Sequence, residues 1–198
     1  MKGKADYYWR KSKEDGYPAR SVYKLQELQD KHALLKSGYR VLDLGCSPGS
    51  WSLMILDLLG GNGTVTGVDL NQPDGKLLSR RAFRFIPGDF FQAGTLALIE
   101  ENGPYDAVLS DAAPSTSGNR MTDTARSLEI GLRVIEVADR VLVPGGNMAV
   151  KIFQGGEERQ VLEEMKVRFT EARAFKPKAS RSDSMEIYFI AKGFKALK

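Results

Sequence analysis

The chain has 198 residues, of which 42% are hydrophobic and 27% charged, which is typical of one compact globular domain. Its apolar runs are too short for a membrane span, its N-terminus lacks an apolar signal core, and one cysteine with one histidine excludes an internal disulfide and a zinc site. The net charge is +4, with ten Lys/Arg against five Asp/Glu in residues 1–40, six against two in residues 176–198, and hence −5 between them. These features predict a cytoplasmic protein without a metal, whose basic ends either bind a polyanion or serve only solubility.

The first residues mix aromatic and charged side chains, and they predict an arm over residues 1–19 that precedes a single domain over 20–198. Apolar residues at 22, 25 and 28 have helical spacing, which predicts a helix over about 20–31. From residue 40 onward, strand and helix patterns alternate. The predicted strands are 39–44, 63–69, 83–86, 105–110, 147–152, 173–175 and 186–191, and the further predicted helices are 51–59, 123–141 and 157–169.

This alternation predicts an α/β fold with a mostly parallel seven-stranded sheet and helices on both faces. The last two strands have no helix between them, so we expect a hairpin that contributes one antiparallel C-terminal strand. In such a sheet, ligands bind at the carboxyl ends of the strands.

A glycine-rich turn follows the first predicted strand, in the segment Asp43-Leu-Gly-Cys-Ser-Pro-Gly-Ser-Trp51. Gly45 and Gly49 allow a sharp turn and a close approach of backbone to a ligand. Pro48 removes an amide donor that a pyrophosphate would need, and Asp43 would repel phosphate. The turn therefore favours a cofactor without phosphate, such as S-adenosylmethionine, over NAD, and Asp43 and Gly45 are predicted to bind it. Trp51 either forms a wall of the cofactor pocket or belongs to the core.

Two further aspartates follow the next two predicted strands. Asp69, twenty-six residues after Asp43, is placed to accept hydrogen bonds from both ribose hydroxyls of an adenosine. Asp89, in Gly88-Asp-Phe90, can accept from the exocyclic amine of adenine. Each residue alone could be a helix cap or a solvated turn, whereas together they predict an adenosine site.

Six segments now carry a resemblance to a known family. They are Arg20-Ser-Val-Tyr-Lys-Leu25, Asp43 to Trp51, Gly88-Asp-Phe90, Ser110-Asp-Ala-Ala-Pro114, Lys151-Ile-Phe-Gln-Gly155, and Ser180-Arg-Ser182 with Glu186-Ile-Tyr188. In this order, from about residue 17 to the C-terminus, the chain resembles the FtsJ/RlmE family of ribosomal RNA large-subunit (uridine-2′-O-)-methyltransferases. The resemblance implies a Rossmann-like class I methyltransferase fold, S-adenosylmethionine as methyl donor, and the 2′-hydroxyl of a ribose in ribosomal RNA, within the large subunit, as acceptor. We expect a monomer.

The resemblance also assigns site residues. The catalytic set falls on Lys24, Asp111, Lys151 and Glu186, and the cofactor positions fall on Gly49, Trp51, Asp69, Asp89 and Asp111. The hypothesis is that Lys151 accepts the proton of the hydroxyl, Asp111 and Glu186 orient Lys151, and Lys24 helps to hold the ribose. One departure from many relatives is Ser50, which replaces a glycine and can reshape the turn.

The segment from Asp6 to Lys13 mixes aromatics, which can stack on bases, with cations that can meet phosphates. With Lys24, Lys178 and Arg181 it predicts an RNA groove, unless its aromatics merely pack on the body. Three other functions remain open: a transfer RNA 2′-O-methyltransferase, an inactive RNA-binding module, and an NAD-dependent oxidoreductase.

Overall fold

The computed structural model describes residues 2–181 and 184–195, with side chains from residue 7 onward. Ser182 of the C-terminal motif lies outside the described residues, as do Met1 and the side chain of Asp6 in the predicted arm.

Seven strands form one sheet. They are β1 (Arg40–Leu44), β2 (Thr64–Asp69), β3 (Phe83–Pro87), β4 (Tyr105–Ser110), β5 (Leu142–Phe153), β6 (Phe169–Phe175) and β7 (Glu186–Phe194). Their order across the sheet is β3-β2-β1-β4-β5-β7-β6. The pairs from β3 to β5 are parallel, and β7 is antiparallel to both of its neighbours. The predicted mostly parallel sheet with one antiparallel C-terminal strand is confirmed.

The helices are α1 (Lys2–Glu14), α2 (Val22–His32), α3 (Ser50–Leu58), α4 (Gly75–Leu78), α5 (Ala93–Glu101), α6 (Arg120–Val141) and α7 (Arg159–Arg168). The sequence pattern predicted α2, α3, α6 and α7 and missed the other three. α4 is a single turn, α1 lacks an apolar stripe, and α5 has a glycine in its first turn without a side-chain cap. None of the described helices combines the length and the apolar character that a membrane span requires.

The start of β5 differs from the prediction. The strand begins at Leu142 rather than at the predicted residue 147, so that residues 144–146, which lie between the predicted helix and the predicted strand, belong to it. The register against β4 shifts at this point, between Tyr105 and Ala107. The helix α6 therefore continues into the strand without a separate loop.

Apolar side chains cover both faces of the sheet, as expected for strands between two helical layers. On one face, alternate residues such as Leu42 and Val108 pack with α5, α6 and α7. On the other face, their neighbours Val41 and Ala107 pack with α2 and α3. Both cores are fully buried, which fixes the register of every strand.

The direction of each strand determines which polar residues meet. The parallel strands β1, β2, β4 and β5 all end at one edge of the sheet, and β7 runs in the opposite direction and therefore begins there. Glu186 accordingly pairs with Phe153 at the end of β5, and Tyr188 pairs with Lys151. The predicted site residues from distant parts of the sequence are thus brought to one edge.

Candidate active site

The turn after β1 has a backbone that only glycine adopts without strain at two positions. Gly45 has φ of +80° and Gly49 has φ of +116°. A Cβ on Gly45 would lie 2.7 Å from the Cβ of Ala112, so the turn also packs directly against the segment after β4. The turn ends at the N-terminus of α3, where backbone amides point towards the same edge of the sheet.

A cavity of about 450 Å³ opens beside this turn. Three carboxylates from the ends of successive strands line it, namely Asp69, Asp89 and Asp111, together with Gly45. Apolar side chains, including Phe90, Phe91 and Ile130, complete the wall, and no Lys or Arg is among the described lining residues. This charge distribution suits a neutral or cationic ligand and opposes one that carries phosphates.

Backbone amides hold two of the carboxylates in place. Asp69 accepts hydrogen bonds from the amides of Ser47 at 2.9 Å and Asn71 at 2.8 Å, one on each oxygen. Asp89 accepts from the amide of Phe91 at 2.9 Å. Because a carboxylate oxygen has two lone pairs, both groups keep acceptor capacity towards the cavity.

Three residues predicted to bind the cofactor, Asp43, Gly49 and Trp51, are not among the residues that line this cavity. Asp43 is fully buried, and one of its oxygens accepts a hydrogen bond from the Ser52 hydroxyl at 2.5 Å. Trp51 is buried as well and belongs to the core with α2 and α3. The geometry therefore supports their role in holding the turn, which for Trp51 is the alternative given above.

The Trp51 side chain connects α3 with two other elements. Its Nε1 donates to the carbonyl oxygen of Ser21 at 3.0 Å, immediately before α2. Its ring stacks on that of Tyr188, with 5.8 Å between the ring centroids. The neighbouring Ser50 hydroxyl accepts the amide of Ala19 at 2.7 Å, so the residue that departs from many relatives also holds the chain ahead of α2.

The four residues of the predicted catalytic set lie in two ion pairs. Lys151 Nζ lies 3.0 Å from Asp111 Oδ1 and donates to the Asp111 carbonyl oxygen at 2.5 Å. Lys24 Nζ donates to Glu186 Oε2 at 2.6 Å. Both lysines are about 95% buried. Glu186 was expected to orient Lys151, but in the structure it contacts Lys24, because α2 and the start of β7 face each other at this edge of the sheet.

Tyr188 is a further residue of the site that the sequence did not assign. Its hydroxyl donates to Asp111 Oδ1 at 2.6 Å, and Lys24 Nζ lies 6.0 Å from its ring centroid. The alternation of side chains along a strand places Tyr188 on the same face as Glu186, and this signal was present in the sequence. Tyr188 therefore connects the two ion pairs.

The pKa of Asp111 and that of the Tyr188 hydroxyl, which donates to it, shift in opposite directions. Burial opposes ionisation of Asp111, but the cations of Lys151 and Lys24 and the Tyr188 hydrogen bond hold the pKa of that carboxyl below its ordinary value. Burial, and then the negative charges of Asp111 and Glu186, raise the pKa of Tyr188 well above its ordinary value. Asp111 is thus a carboxylate and Tyr188 a neutral donor at physiological pH.

The predicted arm is a helix that packs on α2. The ring of Tyr8 contacts that of Tyr23 at 5.3 Å between centroids, and Asp15 accepts from both Lys11 Nζ at 2.6 Å and Tyr23 Oη at 2.8 Å. Trp9 is 57% exposed and Tyr7 54% exposed. Some aromatics thus pack on the body while others face solvent.

The loop between β6 and β7 carries the exposed Lys178 and Arg181. Glu27 of α2 holds this loop, since its two oxygens accept the amides of Lys178 at 2.8 Å and Ala179 at 2.7 Å. Lys24, one helical turn before Glu27, contacts Glu186 at the start of β7, the strand that follows this loop. Sequence reasoning did not single out Glu27, because an acidic residue on a helix surface has no distinctive pattern.

The strand order, the glycine turn after β1 and the carboxylates at the strand ends define the class of Rossmann-like methyltransferases. Aeropyrum pernix fibrillarin, solved in complex with natively bound S-adenosyl-L-methionine, shares this fold with a TM-score of 0.63 and 18% identity, over 86% of this chain and 76% of that one. A Plasmodium falciparum protein assigned as a ribosomal RNA methyltransferase has a TM-score of 0.78 and 29% identity, over 90% of this chain and 98% of that one.

A family model described as FtsJ-like methyltransferase matches residues 17–194. The ribosomal RNA large subunit methyltransferase E of Treponema denticola is 45% identical over 190 residues, which cover 96% of this chain and 95% of that protein. The chain belongs to the FtsJ-like methyltransferase family. The resemblance drawn from the motifs is thereby confirmed.

Proposed function

We propose that this protein transfers a methyl group from S-adenosylmethionine to the 2′-hydroxyl of a ribose, in a uridine of large-subunit ribosomal RNA. The observation that carries the proposal is the pair of buried lysines, Lys24 and Lys151, held by Glu186 and Asp111 beside a cavity lined by carboxylates. The name of the Treponema denticola relative, which covers nearly the whole chain, supports ribosomal RNA as the substrate.

The residues of the cavity fit S-adenosylmethionine. Its amino group and sulfonium are cationic, and the cavity offers Asp69, Asp89 and Asp111 without a lining Lys or Arg among the described residues. Asp69 and Asp89 keep free lone pairs towards the cavity, which suits the donor groups of such a ligand. We assign Asp69 to the ribose of the cofactor and Asp89, beside Phe90 and Phe91, to the adenine. When bound, the cofactor supplies an electrophilic methyl group.

Lys151 is the group that we assign to accept the proton of the ribose hydroxyl. Lys151 pairs with Asp111 as a cation, and it accepts the hydroxyl proton only in its deprotonated form, in which Nζ has two N–H donors and one lone pair. Two donors suffice for the contacts of Nζ with the carbonyl oxygen and Oδ1 of Asp111, which leaves the lone pair for the hydroxyl proton. Lys151 Nζ takes this proton as the ribose oxygen attacks; the bound cofactor would supply the methyl carbon and would leave as the neutral sulfide.

Asp111 and Tyr188 position Lys151, and Lys24 holds the ribose. The carboxylate of Asp111 is fixed by the Tyr188 hydroxyl, so it cannot rotate away from Lys151 without losing a hydrogen bond. Lys24, fixed by Glu186, presents its remaining N–H donors at the same edge of the sheet. A hydroxyl held in this orientation lowers the entropy cost of bringing the two reactants together in the transition state.

The RNA groove that we propose joins the arm over residues 1–19 to the methyltransferase domain over 20–198. Trp9 and Tyr7 expose rings on which unpaired bases can stack, and Lys178 and Arg181 are exposed cations on the loop that precedes β7. We further propose that the protein acts as a monomer in the cytoplasm.

The test is transfer of a labelled methyl group to large-subunit particles, free ribosomal RNA and transfer RNA, followed by nucleoside mapping. We expect 2′-O-methyluridine in ribosomal RNA. Methylation of transfer RNA alone would overturn the assigned substrate, and a label on a base would overturn the assigned acceptor.

The role of Lys151 is tested by Lys151→Met, which keeps a side chain of similar length and removes the amine. This variant should lose methyl transfer while its affinity for the cofactor is retained. Transfer at most of the native single-turnover rate would contradict the role of Lys151.

A further inference from the structure

A basic cleft, separate from the cavity of the candidate active site, lies at the C-terminal end of α2. This α2-end cleft has a volume of about 130 Å³. Its lining residues are Lys31, His32, Glu171, Arg173, Ile190 and Lys192. With three cations, one carboxylate and a neutral histidine, the cleft has a net charge of +2 (three minus one).

The strand alternation places this cleft on the same face of the sheet as the candidate active site. Tyr188, Ile190 and Lys192 all point to the face of β7 that α2 covers. Lys192 lies about 20 Å from Glu186 along the strand, at roughly 3.4 Å per residue. Lys31 lies about two helical turns from Lys24, so both cations project from the same side of α2.

Two of the three cations keep donors for a ligand. Lys31 is exposed, and the side chain of Arg173 is 57% exposed, although one of its five N–H donors meets Glu171 at 2.8 Å. Lys192 Nζ donates to the carbonyl oxygen of His32 at 3.1 Å, at the C-terminus of α2, and so has a structural role as well. Lys31 and Arg173 are therefore the residues on which a test should rest.

The three cations line one cleft and act together on His32. Burial, and then the positive charges of Arg173, Lys192 and Lys31, lower the pKa of His32 below its ordinary value. Like charges that converge on a cleft repel one another, and a bound anion relieves that repulsion.

We propose that the α2-end cleft is a second phosphate-contact surface for the RNA substrate, at the opposite end of α2 from Lys24. The inference rests on the proposed function. The cleft and Glu186 are about 20 Å apart, so a ligand that reaches both must be an extended chain with several phosphates, such as an RNA backbone, and not one small anion.

The test is RNA binding by the double variant Lys31→Ala/Arg173→Ala over a series of salt concentrations. We expect an affinity about tenfold lower near 0.1 M salt, and a log–log salt slope shallower by about 1.4, at roughly 0.7 for each phosphate contact on a single strand. The affinity for S-adenosylmethionine and the single-turnover rate at saturating RNA should equal those of the native chain. Each single variant should give about half of the change in slope.

The matched control is Arg159→Ala/Lys166→Ala, which removes the same charge from α7 on the opposite face of the sheet. We expect it to bind RNA with the native salt slope. A native slope for Lys31→Ala/Arg173→Ala, or an equal loss in the control, would overturn the inference. So would a loss seen with large-subunit particles but not with free RNA, since the partner would then be protein. Failure of the proposed function is distinct, because the native chain itself would then place no 2′-O-methyl group on ribosomal RNA.

Discussion

At the scale of the residue, Tyr188 and Asp111 form the hydrogen bond on which the geometry of the site depends. Asp111 Oδ1 accepts a hydrogen bond from the Tyr188 hydroxyl at 2.6 Å and lies 3.0 Å from Lys151 Nζ. A carboxylate held by two donors in a largely buried site has little rotational freedom. Lys151 therefore approaches a substrate from a fixed direction.

We expect Tyr188→Phe to lower the single-turnover rate about tenfold, because a hydrogen bond to a charged group contributes roughly 1.5–3 kcal/mol and part of it positions Lys151. The ring should still stack on Trp51, so the fold should be retained. The measurement is methyl transfer at saturating RNA and S-adenosylmethionine, with cofactor affinity as the control. An unchanged rate would show that the hydroxyl has no positioning role.

Asp43 predicts how the stability depends on pH. Burial raises the pKa of Asp43 to about 7, the charges of Asp111 and Asp69 add to this shift, and the Ser52 hydrogen bond opposes it. The folded state then holds a proton that the unfolded state, with a pKa of about 3.9, has lost. The contribution of Asp43 to the free energy of unfolding is thus complete below about pH 4 and is lost as the pH rises to about 7.

Asp43→Asn should remove this loss. Relative to the variant, the free energy of unfolding of the native chain should fall by on the order of a few kcal/mol between pH 4 and pH 7, with no further change above pH 7. Urea unfolding of both proteins at several pH values measures the difference. Parallel stability curves for the two proteins would contradict the raised pKa.

At the scale of the element, α2 organises the site. The segment just before α2 is held by α3, through Ser50 with Ala19 and Trp51 with Ser21, and this anchorage fixes the position of Lys24. The middle of α2 holds the loop before β7 through Glu27. The turn that forms the cofactor cavity and the helix that carries Lys24 are therefore parts of one connected structure.

Glu27→Ala should weaken RNA binding several-fold while cofactor affinity stays native, because the amides of Lys178 and Ala179 lose their acceptors and the basic loop loses its anchor. Fluorescence anisotropy with labelled RNA measures the effect. Glu27→Gln, which retains one carbonyl acceptor, should fall between the native chain and Glu27→Ala. If both variants bind RNA as tightly as the native chain, the loop does not depend on Glu27.

At the scale of the whole molecule, the cavity lined by three carboxylates predicts which ligands stabilise the fold. S-adenosylmethionine and S-adenosylhomocysteine at about 100 times their dissociation constants should each add roughly 2.7 kcal/mol to the free energy of unfolding and raise the melting temperature by several degrees. NAD at the same concentration should give no shift, since its pyrophosphate meets Asp69 and Asp111 without a lining cation. A shift with NAD alone would exclude the assigned cofactor.

Much of the fold followed from hydrophobic patterning, because strands buried on both faces read as short apolar runs between turns. All seven strands were predicted, although β5 begins at Leu142 rather than residue 147. Of the missed helices, α4 is a single turn, α1 lacks an apolar stripe, and α5 has no side-chain cap. Their formation depends on tertiary packing, as the contact of Tyr8 with Tyr23 illustrates.

The sequence by itself determined the residue types of the site and the edge at which they meet. A turn such as Asp43 to Trp51 and aspartates at strand ends have local signatures, and the motifs identified the family. Only the tertiary structure decided the pairing: Glu186 contacts Lys24 rather than Lys151, Tyr188 joins Asp111, and Trp51 lies behind the cavity. The physical reason is that these contacts join α2, α3, β5 and β7, and their distances depend on how two helices pack on a sheet, which no local pattern encodes.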